Sequence, residues 1–278
     1  MKYEVRYSTH PQDAKNYDTQ KLRDQYLITS LFEQDEVVMV YTFEDRFIAG
    51  GAMPVNQKLK LESFDPLKAG FFLERREMGV VNIGGKGQVI VDGVAHALDY
   101  KEALYVGKGK EEVYFVSENP EQPAFFYINS TPAHQAFPVQ RVSREQAVRI
   151  ELGAMETANH RILNKLIVNE TVETCQLQMG MTELQPGSVW NTMPGHVHDR
   201  RMEVYLYFEV PADQAVSHFM GEAQESRHIW MHDKQAVISP AWSMHSGSGT
   251  SNYSFVWGMA GENLDYGDMD IIPIVDLK

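Results

Sequence analysis

The residues best suited to chemistry lie in one short stretch, PGHVHDRRMEVY, which begins at Pro194. It contains His196, His198 and Glu203 within eight residues. Side chains two apart in a strand point to the same face, so both imidazoles can reach one point, and Glu203 can approach it from a strand that follows a turn. His245, in the segment PAWSMHSGSG, can supply a fourth ligand. Three imidazoles and a carboxylate suit Zn, Fe, Mn, Co or Ni, so the spacing predicts a divalent metal site.

Two other interpretations of these residues compete with a catalytic metal site: the histidines bind no metal, or they hold a structural zinc ion. A lone HxH motif occurs in many proteins whose histidines bind nothing, and a closed set of four ligands is typical of structural zinc. The clustering of histidines argues against the first, because six of the ten lie between residues 196 and 245. A ligand set that has a carboxylate and no cysteine favours a catalytic centre over a structural one.

The elements that must position these residues are short strands. Segments rich in Val, Ile, Tyr and Phe alternate with Gly, Pro and Asn, which predicts an all-β fold with few helices. RREMGVVNIGGKG in the first half and RRMEVYLYF in the second suggest two tandem β-barrels, covering residues 1–135 and 136–278. Two short helices are expected, one over residues 18–29 capped by Asp18 or Thr19, and one over residues 143–150 opened by the capping-box sequence SREQ. The clearest predicted strands are VVMVYTF, GQVIVDG, ALYVG, EVYFV, EVYLYFEV, HIWMH, QAVIS and NYSFVWGM.

Composition limits the class of protein. The chain has 278 residues, of which 43% are hydrophobic and 23% charged, as in a globular enzyme. No apolar run is long enough for a membrane span or a signal peptide, and the single cysteine, Cys175, fits a reducing compartment, so we expect a cytoplasmic protein. A net charge of −13 disfavours nucleic acid and anionic membranes as partners, and an anionic substrate would need its own cluster of cations.

Several long segments resemble one enzyme family. They are LFEQDEVVMVYTFEDRFIAGGAMPV, FLERREMGVVNIGGKGQVIVDG, ALYVGKGKEEV, ETCQLQMGMTELQPGSVWNTMPGHVHDRRMEVYLYF and QAVISPAWSMHSGSGTSNYSFVWGMAGEN. Together they are similar, over nearly the full length, to the 5-keto-4-deoxyuronate isomerases, also called 4-deoxy-L-threo-5-hexosulose-uronate ketol-isomerases, of the cupin superfamily. The resemblance implies a bicupin of two jelly-roll barrels, a homohexamer, and one divalent metal per subunit, usually zinc. The implied ligands are the four residues that the spacing selects, and the first barrel, which lacks an HxH motif, is expected to hold no metal.

The resemblance also implies a reaction. A ketol-isomerase of this family converts 5-dehydro-4-deoxy-D-glucuronate to 3-deoxy-D-glycero-2,5-hexodiulosonate, a step of pectin and uronate breakdown, through a metal-stabilised enediolate. One residue must move a proton between neighbouring carbons. The sequence leaves four candidates for it: Glu203, Lys165, Glu183 and His232. Candidates for contact with the substrate are Arg161, Lys165, Gln176, Arg201, Tyr205 and Trp242, with Arg201 equally able to pair with an acidic residue of the barrel wall.

Two other classes of function stay open at this stage. The same ligands can hold Fe or Ni in an oxygen-using cupin dioxygenase, and they can hold a sugar without turnover in a binding or regulatory cupin. Dependence on O₂ would select the first, and tight sugar binding without reaction would select the second.

Overall fold

A computed structural model describes residues 1–278, and strands dominate it. The two α-helices are α1 (Pro11–Ala14) and α2 (Thr19–Tyr26), and short 3-10 helices span Asp65–Leu67, Phe72–Glu74, Met155–Thr157 and Ile274–Asp276. The strands of the first half are β1 (Lys2–Arg6), β2 (Leu27–Ile28), β3 (Val37–Thr42), β4 (Ile48–Ala52), β5 (Leu59–Lys60), β6 (Arg76–Asn82), β7 (Gly87–Val91), β8 (Val94–Leu98), β9 (Ala103–Val106), β10 (Val113–Ser117), β11 (Phe126–Pro132) and β12 (Gln140–Val142). Those of the second half are β13 (Val148–Leu152), β14 (Arg161–Ile167), β15 (Gln178–Leu184), β16 (Trp190–Val197), β17 (Arg201–Phe208), β18 (Val216–Glu222), β19 (Glu225–Met231), β20 (Gln235–Ser239), β21 (His245–Gly249), β22 (Ser254–Gly261) and β23 (Asp270–Ile271).

The chain divides into two compact units, each made of three segments. Unit 1 comprises Met1–Arg6, Ser30–Val148 and Lys165–Met179, and unit 2 comprises Tyr7–Thr29, Arg149–Asn164 and Gly180–Lys278. This division differs from the single boundary expected between residues 135 and 136. One reason is that β2 pairs with β20, which ties the segment after Arg6 to strands of the second half.

Unit 1 contains one two-sheet barrel with an apolar interior. A seven-stranded sheet has the order β1-β3-β4-β11-β6-β9-β12, and a four-stranded sheet has the order β5-β10-β7-β8. Met78 and Val80, two apart on β6, pack in one core cluster with Val89 and Phe115 from the smaller sheet. Alternation along the strand therefore fixes which face of β6 lines the barrel.

The second barrel, built mainly from unit 2, has a polar and aromatic interior. Its sheets have the orders β13-β14-β15-β22-β17-β20-β2 and β19-β18-β21-β16-β23. Strand β17 is buried throughout and lies between β20 and β22. Its Tyr207 hydroxyl contacts His218 on β18, so the face with Arg201, Glu203 and Tyr205 is turned toward the smaller sheet. The prediction of an all-β fold with two cupin-type barrels is confirmed.

The two helix predictions have different outcomes. Helix α2 begins after Asp18, whose side chain accepts a hydrogen bond from the Lys21 amide as predicted, but it ends at Tyr26, before strand β2. The prediction of a helix over residues 143–150 is wrong. Gln146 does bond the Ser143 amide, as in a capping box, yet the turn stops because apolar residues alternate with polar ones in VRIEL, which forms β13. No helix in the structure is both long and apolar enough to span a bilayer.

Candidate metal centre

Two paired strands of the smaller sheet, β16 and β21, and one strand of the larger sheet, β17, bring the four predicted ligands together. His196 lies near the end of β16, His198 follows directly after that strand, Glu203 lies on β17, and His245 begins β21. His196 and His245 are cross-strand partners, next to a register shift in β16 that begins after Asn191. An irregularity of this kind bends a strand and redirects its side chains, which here places both histidines of the HxH motif beside the barrel interior.

The ligand atoms converge on one point. Nε2 of His196 lies 3.0 Å from Nε2 of His198 and 3.1 Å from Nε2 of His245. Oε2 of Glu203 lies 2.8 Å from Nε2 of His245 and 3.3 Å from Nε2 of His198. Metal bonds of about 2.0–2.2 Å to nitrogen and oxygen set neighbouring ligands about 2.8–3.6 Å apart. The four side chains therefore have the spacing that one divalent cation requires.

Polar contacts at the far side of two rings hold them in place. Nδ1 of His198 lies 2.9 Å from the carbonyl oxygen of Asp268, and Nδ1 of His245 lies 3.2 Å from Oγ of Ser239. Nε of Arg201 lies 3.2 Å from the same Nδ1, so this nitrogen of His198 stands between a guanidinium donor and a carbonyl acceptor, and its Nε2 faces the centre. Contacts of this kind orient metal-binding imidazoles and raise their basicity.

Electrostatics also fits a cation at this point. Burial lowers the pKa of His196 to about 2, with the neighbouring histidines adding to the effect, so its ring is neutral and able to coordinate. Burial would raise the pKa of Glu203, but His245 and His198 together lower it below its usual range. Its Oε2 atom is buried and accepts no hydrogen bond. A bound cation would satisfy this oxygen and relieve the repulsion between facing lone pairs.

Arg201 supports the centre from the same strand. It is buried, and its guanidinium donates to the carbonyl oxygens of Asp265, Tyr266 and Asp268 at 2.8–3.2 Å. One of these carbonyls also accepts the hydrogen bond from His198. The arginine thus holds the 265–268 segment against the ligand group, with Nη1 and Nη2 directed at backbone oxygens and Nε donating to Nδ1 of His198 at 3.2 Å.

Of the other predicted contact residues, Tyr205 lies in the interior of the second barrel, and Arg161, half-buried at the start of β14, lies near it. The Tyr205 ring packs 5.4 Å from the His245 ring, and its hydroxyl lies 3.3 Å from Oγ1 of Thr192. Arg161 interacts electrostatically with Tyr205, Tyr253 and Tyr266, and burial lowers its pKa. Its guanidinium makes one hydrogen bond, from Nη1 to the Asn159 carbonyl at 2.9 Å, so donors remain for a ligand.

The remaining predicted residues have other partners. Glu183 accepts a hydrogen bond from Asn164, and His232 is exposed in the turn between β19 and β20. The Trp242 indole donates to the Thr9 carbonyl. In unit 1, Lys165 forms an ion pair with Glu170, and the Gln176 side chain donates to the Pro132 carbonyl. None of these five belongs to the ligand group.

Sequence analysis missed several polar residues inside the second barrel. His218 is fully buried, its Nδ1 lies 2.8 Å from the Tyr207 hydroxyl, and its Nε2 has no partner. Oδ1 of Asn191 and Nε1 of Trp257 are also buried without a hydrogen bond. The only sequence signal for them was the run of polar and aromatic residues at alternate positions in the strands. Unsatisfied polar atoms in a barrel interior are typical of a site that binds a polar molecule.

The fold and the site together define a cupin-type protein with two barrels and a candidate centre of three histidines and one carboxylate. A model of the KduI/IolB family matches residues 26–271, and the chain belongs to this family. It is 60% identical over 277 residues to a 4-deoxy-L-threo-5-hexosulose-uronate ketol-isomerase of Formosa agariphila, covering 100% of this chain and 99% of that protein. It is 58% identical over 276 residues to the enzyme of the same name from Bacteroides fragilis, covering 99% of each. The predicted family resemblance is confirmed.

A solved structure supports the fold independently. An IolB-like protein from Salmonella typhimurium superimposes with a TM-score of 0.72 at 13% sequence identity, covering 89% of this chain and 96% of that one. At this identity the likeness concerns the fold alone.

Proposed function

We propose that the chain is a metal-dependent ketol-isomerase that converts 5-dehydro-4-deoxy-D-glucuronate to 3-deoxy-D-glycero-2,5-hexodiulosonate. The observation that carries the proposal is the group His196, His198, Glu203 and His245, convergent and buried in a chain that shares 60% of its residues with a protein of that name. The reaction removes a proton from C2 and delivers one to C1, while the hydroxyl proton moves from O2 to O1. The aldehyde at C1 becomes a hydroxymethyl group and C2 becomes a ketone.

A divalent cation held by the four ligands supplies electrostatic stabilisation for the negative charge that develops on the two substrate oxygens. We propose zinc, because a set of nitrogen and oxygen ligands with a carboxylate and no thiolate is common in catalytic zinc sites. His198 and His245 are held in place by Asp268 and Ser239, so the protein fixes the ligand geometry before the substrate arrives.

The substrate carboxylate is assigned to Arg161. It is the candidate cation that lies among the barrel tyrosines and keeps unused donors, whereas Arg201 is directed at carbonyl oxygens and Lys165 at Glu170. A planar guanidinium can hold a carboxylate by two parallel hydrogen bonds. Tyr205, packed on His245, is placed to contact the carbon chain between the metal end and the arginine end of the substrate.

Proton transfer is assigned to Glu203, because it is the one candidate base inside the ligand group. A carboxylate at this position would be placed to take the C2 proton and to return it at C1. Cytoplasmic location, expected from the composition, is part of the same proposal, as are assembly as a homohexamer and a place in pectin and uronate breakdown, which rest on the family.

The experiment is turnover of freshly made 4-deoxy-5-keto-uronate by the purified protein, followed by carbon NMR with and without O₂. The proposal expects the C1 signal of the substrate to be replaced by that of a hydroxymethyl carbon at equal rates in both conditions. Consumption of the uronate that requires O₂ would indicate a dioxygenase. Saturable binding of the uronate without conversion would indicate a sugar-binding protein.

A further inference from the structure

A cavity of about 370 Å³ opens in unit 1. Three arginines line it, Arg46, Arg75 and Arg76, together with apolar and aromatic residues that include Tyr41 and Phe72. No acidic side chain lines it, although Asp and Glu number 38 in the chain against 25 Lys and Arg. Its volume lies in the range of small-molecule sites, about 300–1,000 Å³. A cavity of this charge in an acidic protein favours an anionic occupant.

Arg76 is the buried cation of this cavity. It belongs to the face of β6 that carries Met78 and Val80 into the barrel core, so it lies where the apolar filling of the barrel ends. Its Nη2 donates to the carbonyl oxygens of Arg46 and Ser130 at 2.7 and 2.8 Å. These neutral acceptors hold the guanidinium in one orientation without balancing its charge.

The charge of Arg76 has no carboxylate partner. Its third hydrogen bond runs from Nε to the Ser130 hydroxyl at 3.1 Å, and its Nη1 makes none. The nearest acidic neighbour in sequence, Glu77, points to the other face of β6, where it accepts from the Tyr105 hydroxyl and the Cys175 amide. Burial lowers the pKa of Arg76 to about 9, which still leaves it charged at neutral pH. A buried cation without a counter-ion is costly, and an anion in the cavity would offset that cost.

Two exposed arginines complete the mouth of the cavity. The side chain of Arg46 makes no hydrogen bond and no ion pair. Arg75 makes only an ion pair with the adjacent Glu74 at 3.3 Å, and exposed pairs of this kind contribute little. Both guanidinium groups are therefore available to a ligand at small energetic cost.

We propose that this cavity is a binding site for a small organic anion, whose carboxylate or phosphate group contacts the three arginines and whose carbon skeleton lies against Tyr41 and Phe72. All of its residues belong to unit 1, whereas the four candidate metal ligands belong to unit 2. The site is thus a second one, and it does not depend on the isomerase assignment. It gives the first barrel a binding role of its own.

The test is calorimetric titration of the full chain with D-glucuronate and, separately, with inorganic phosphate. The protein carries His196→Ala, His198→Ala and Arg161→Gln, so neither the candidate metal centre nor the arginine assigned to the substrate carboxylate can contribute to binding. Saturable one-to-one binding of at least one probe is expected. Adding Arg46→Gln and Arg75→Gln should weaken it by about tenfold or more, because charge-assisted hydrogen bonds are lost. Arg149→Gln, which removes an exposed arginine of unit 2, is the matched control and should leave the affinity unchanged.

The two probes distinguish a site for carboxylates from a site for phosphates. Binding of glucuronate that phosphate does not displace indicates a carboxylate site, and displacement by phosphate indicates a phosphate site. Because Arg46 and Arg75 are exposed, their variants should fold, as a melting curve would verify. Absence of saturable binding by both probes, or binding that is equal in the Arg46/Arg75 variant and the Arg149 control, would overturn the proposal.

Discussion

At the scale of single residues, the contacts behind the ligands decide how firmly the candidate centre is held. Nδ1 of His245 lies 3.2 Å from Oγ of Ser239, and this hydroxyl also lies 3.4 Å from the Ser243 carbonyl oxygen, to which it can donate. These contacts hold the imidazole ring of His245 so that its Nε2 faces Glu203. The position of Ser239 could not be predicted from the sequence, because nothing in QAVIS marks one serine as a partner of a distant histidine.

Replacing Ser239 by alanine should weaken metal binding by about tenfold, because ligands that lose an outer partner also lose orientation and basicity. Competition between the protein and a coloured chelator for Zn²⁺ would measure the change. Ser63→Ala is the control, since the Ser63 hydroxyl has no hydrogen-bond partner. Equal zinc affinity in both variants would mean that the Ser239 contact does not support the centre.

Arg161 allows a separate test of substrate recognition. Arg161→Gln should lower kcat/KM for the deoxy-keto-uronate by about 100-fold, mainly through KM, because two charge-assisted hydrogen bonds to the substrate carboxylate are lost. Steady-state kinetics at fixed metal content would measure it, with Arg149→Gln as the control. Unchanged KM in Arg161→Gln would assign the carboxylate to another cation.

At the scale of elements, alternation along strands made both the fold and the convergence of the four candidate residues predictable. All eight strands expected from apolar alternation are present, and period two correctly placed Glu203 and Tyr205 on one face of β17. The incorrect prediction of a helix over residues 143–150 shows the limit of predicting structure from local patterns. A capping box is a local signal that starts a turn, but pairing with a sheet decides whether the following residues form a helix or a strand.

Strand β6 carries a buried carboxylate that organises unit 1. Glu77 accepts hydrogen bonds at 2.7–2.9 Å from the Tyr105 hydroxyl and from the amides of Cys175, Gln176 and Leu177. The sequence around Glu77 resembles that around Glu203. The Glu77 carboxylate, however, binds the backbone amides of residues 175–177. The spacing of Arg and Glu alone could not distinguish these two roles.

Glu77→Gln should reduce the free energy of unfolding by about 3 kcal/mol, because an amide group would face backbone donors that now bond a charged acceptor. Urea unfolding would measure it. Glu118→Gln, on an exposed position, is the control and should change stability by less than about 0.5 kcal/mol. Similar unfolding midpoints for the two variants would contradict this role.

At the scale of the whole molecule, the interleaving of the two units was not predictable. The segment Tyr7–Thr29 belongs to unit 2 although it precedes almost all of unit 1 in the chain. Its attachment depends on contacts such as the Trp242 indole with the Thr9 carbonyl, which join residues more than 200 positions apart. Such contacts leave no local pattern, so composition and periodicity predict the barrels and miss this arrangement.

Buried histidines should make the stability of the metal-free protein depend on pH. Burial lowers the pKa of His218 to about 3, whereas an unfolded histidine has a pKa near its ordinary value of 6.5. Between these values the unfolded chain binds a proton that the folded protein does not, so stability is present above about pH 6.5 and falls as the pH is lowered toward 3. His218 contributes a slope of up to about 1.4 kcal/mol per pH unit.

Urea unfolding of the metal-free protein at several pH values would test this pH dependence. His218→Gln should lower the slope between pH 6 and pH 4, and His232→Gln, at an exposed histidine, should leave it unchanged. Equal slopes for the two variants would show that His218 takes up its proton in the folded state.

The central claim is that one divalent cation at His196, His198, Glu203 and His245 makes this chain a ketol-isomerase. The most direct measurement is a titration of chelator-stripped protein with Zn²⁺, in which bound metal and turnover of the deoxy-keto-uronate are determined on the same samples. We expect no turnover without metal and a linear rise that ends at one equivalent per chain, with neither metal binding nor turnover in a His196→Ala, His198→Ala variant. Full turnover by the stripped protein, or one bound equivalent without turnover, would contradict the account.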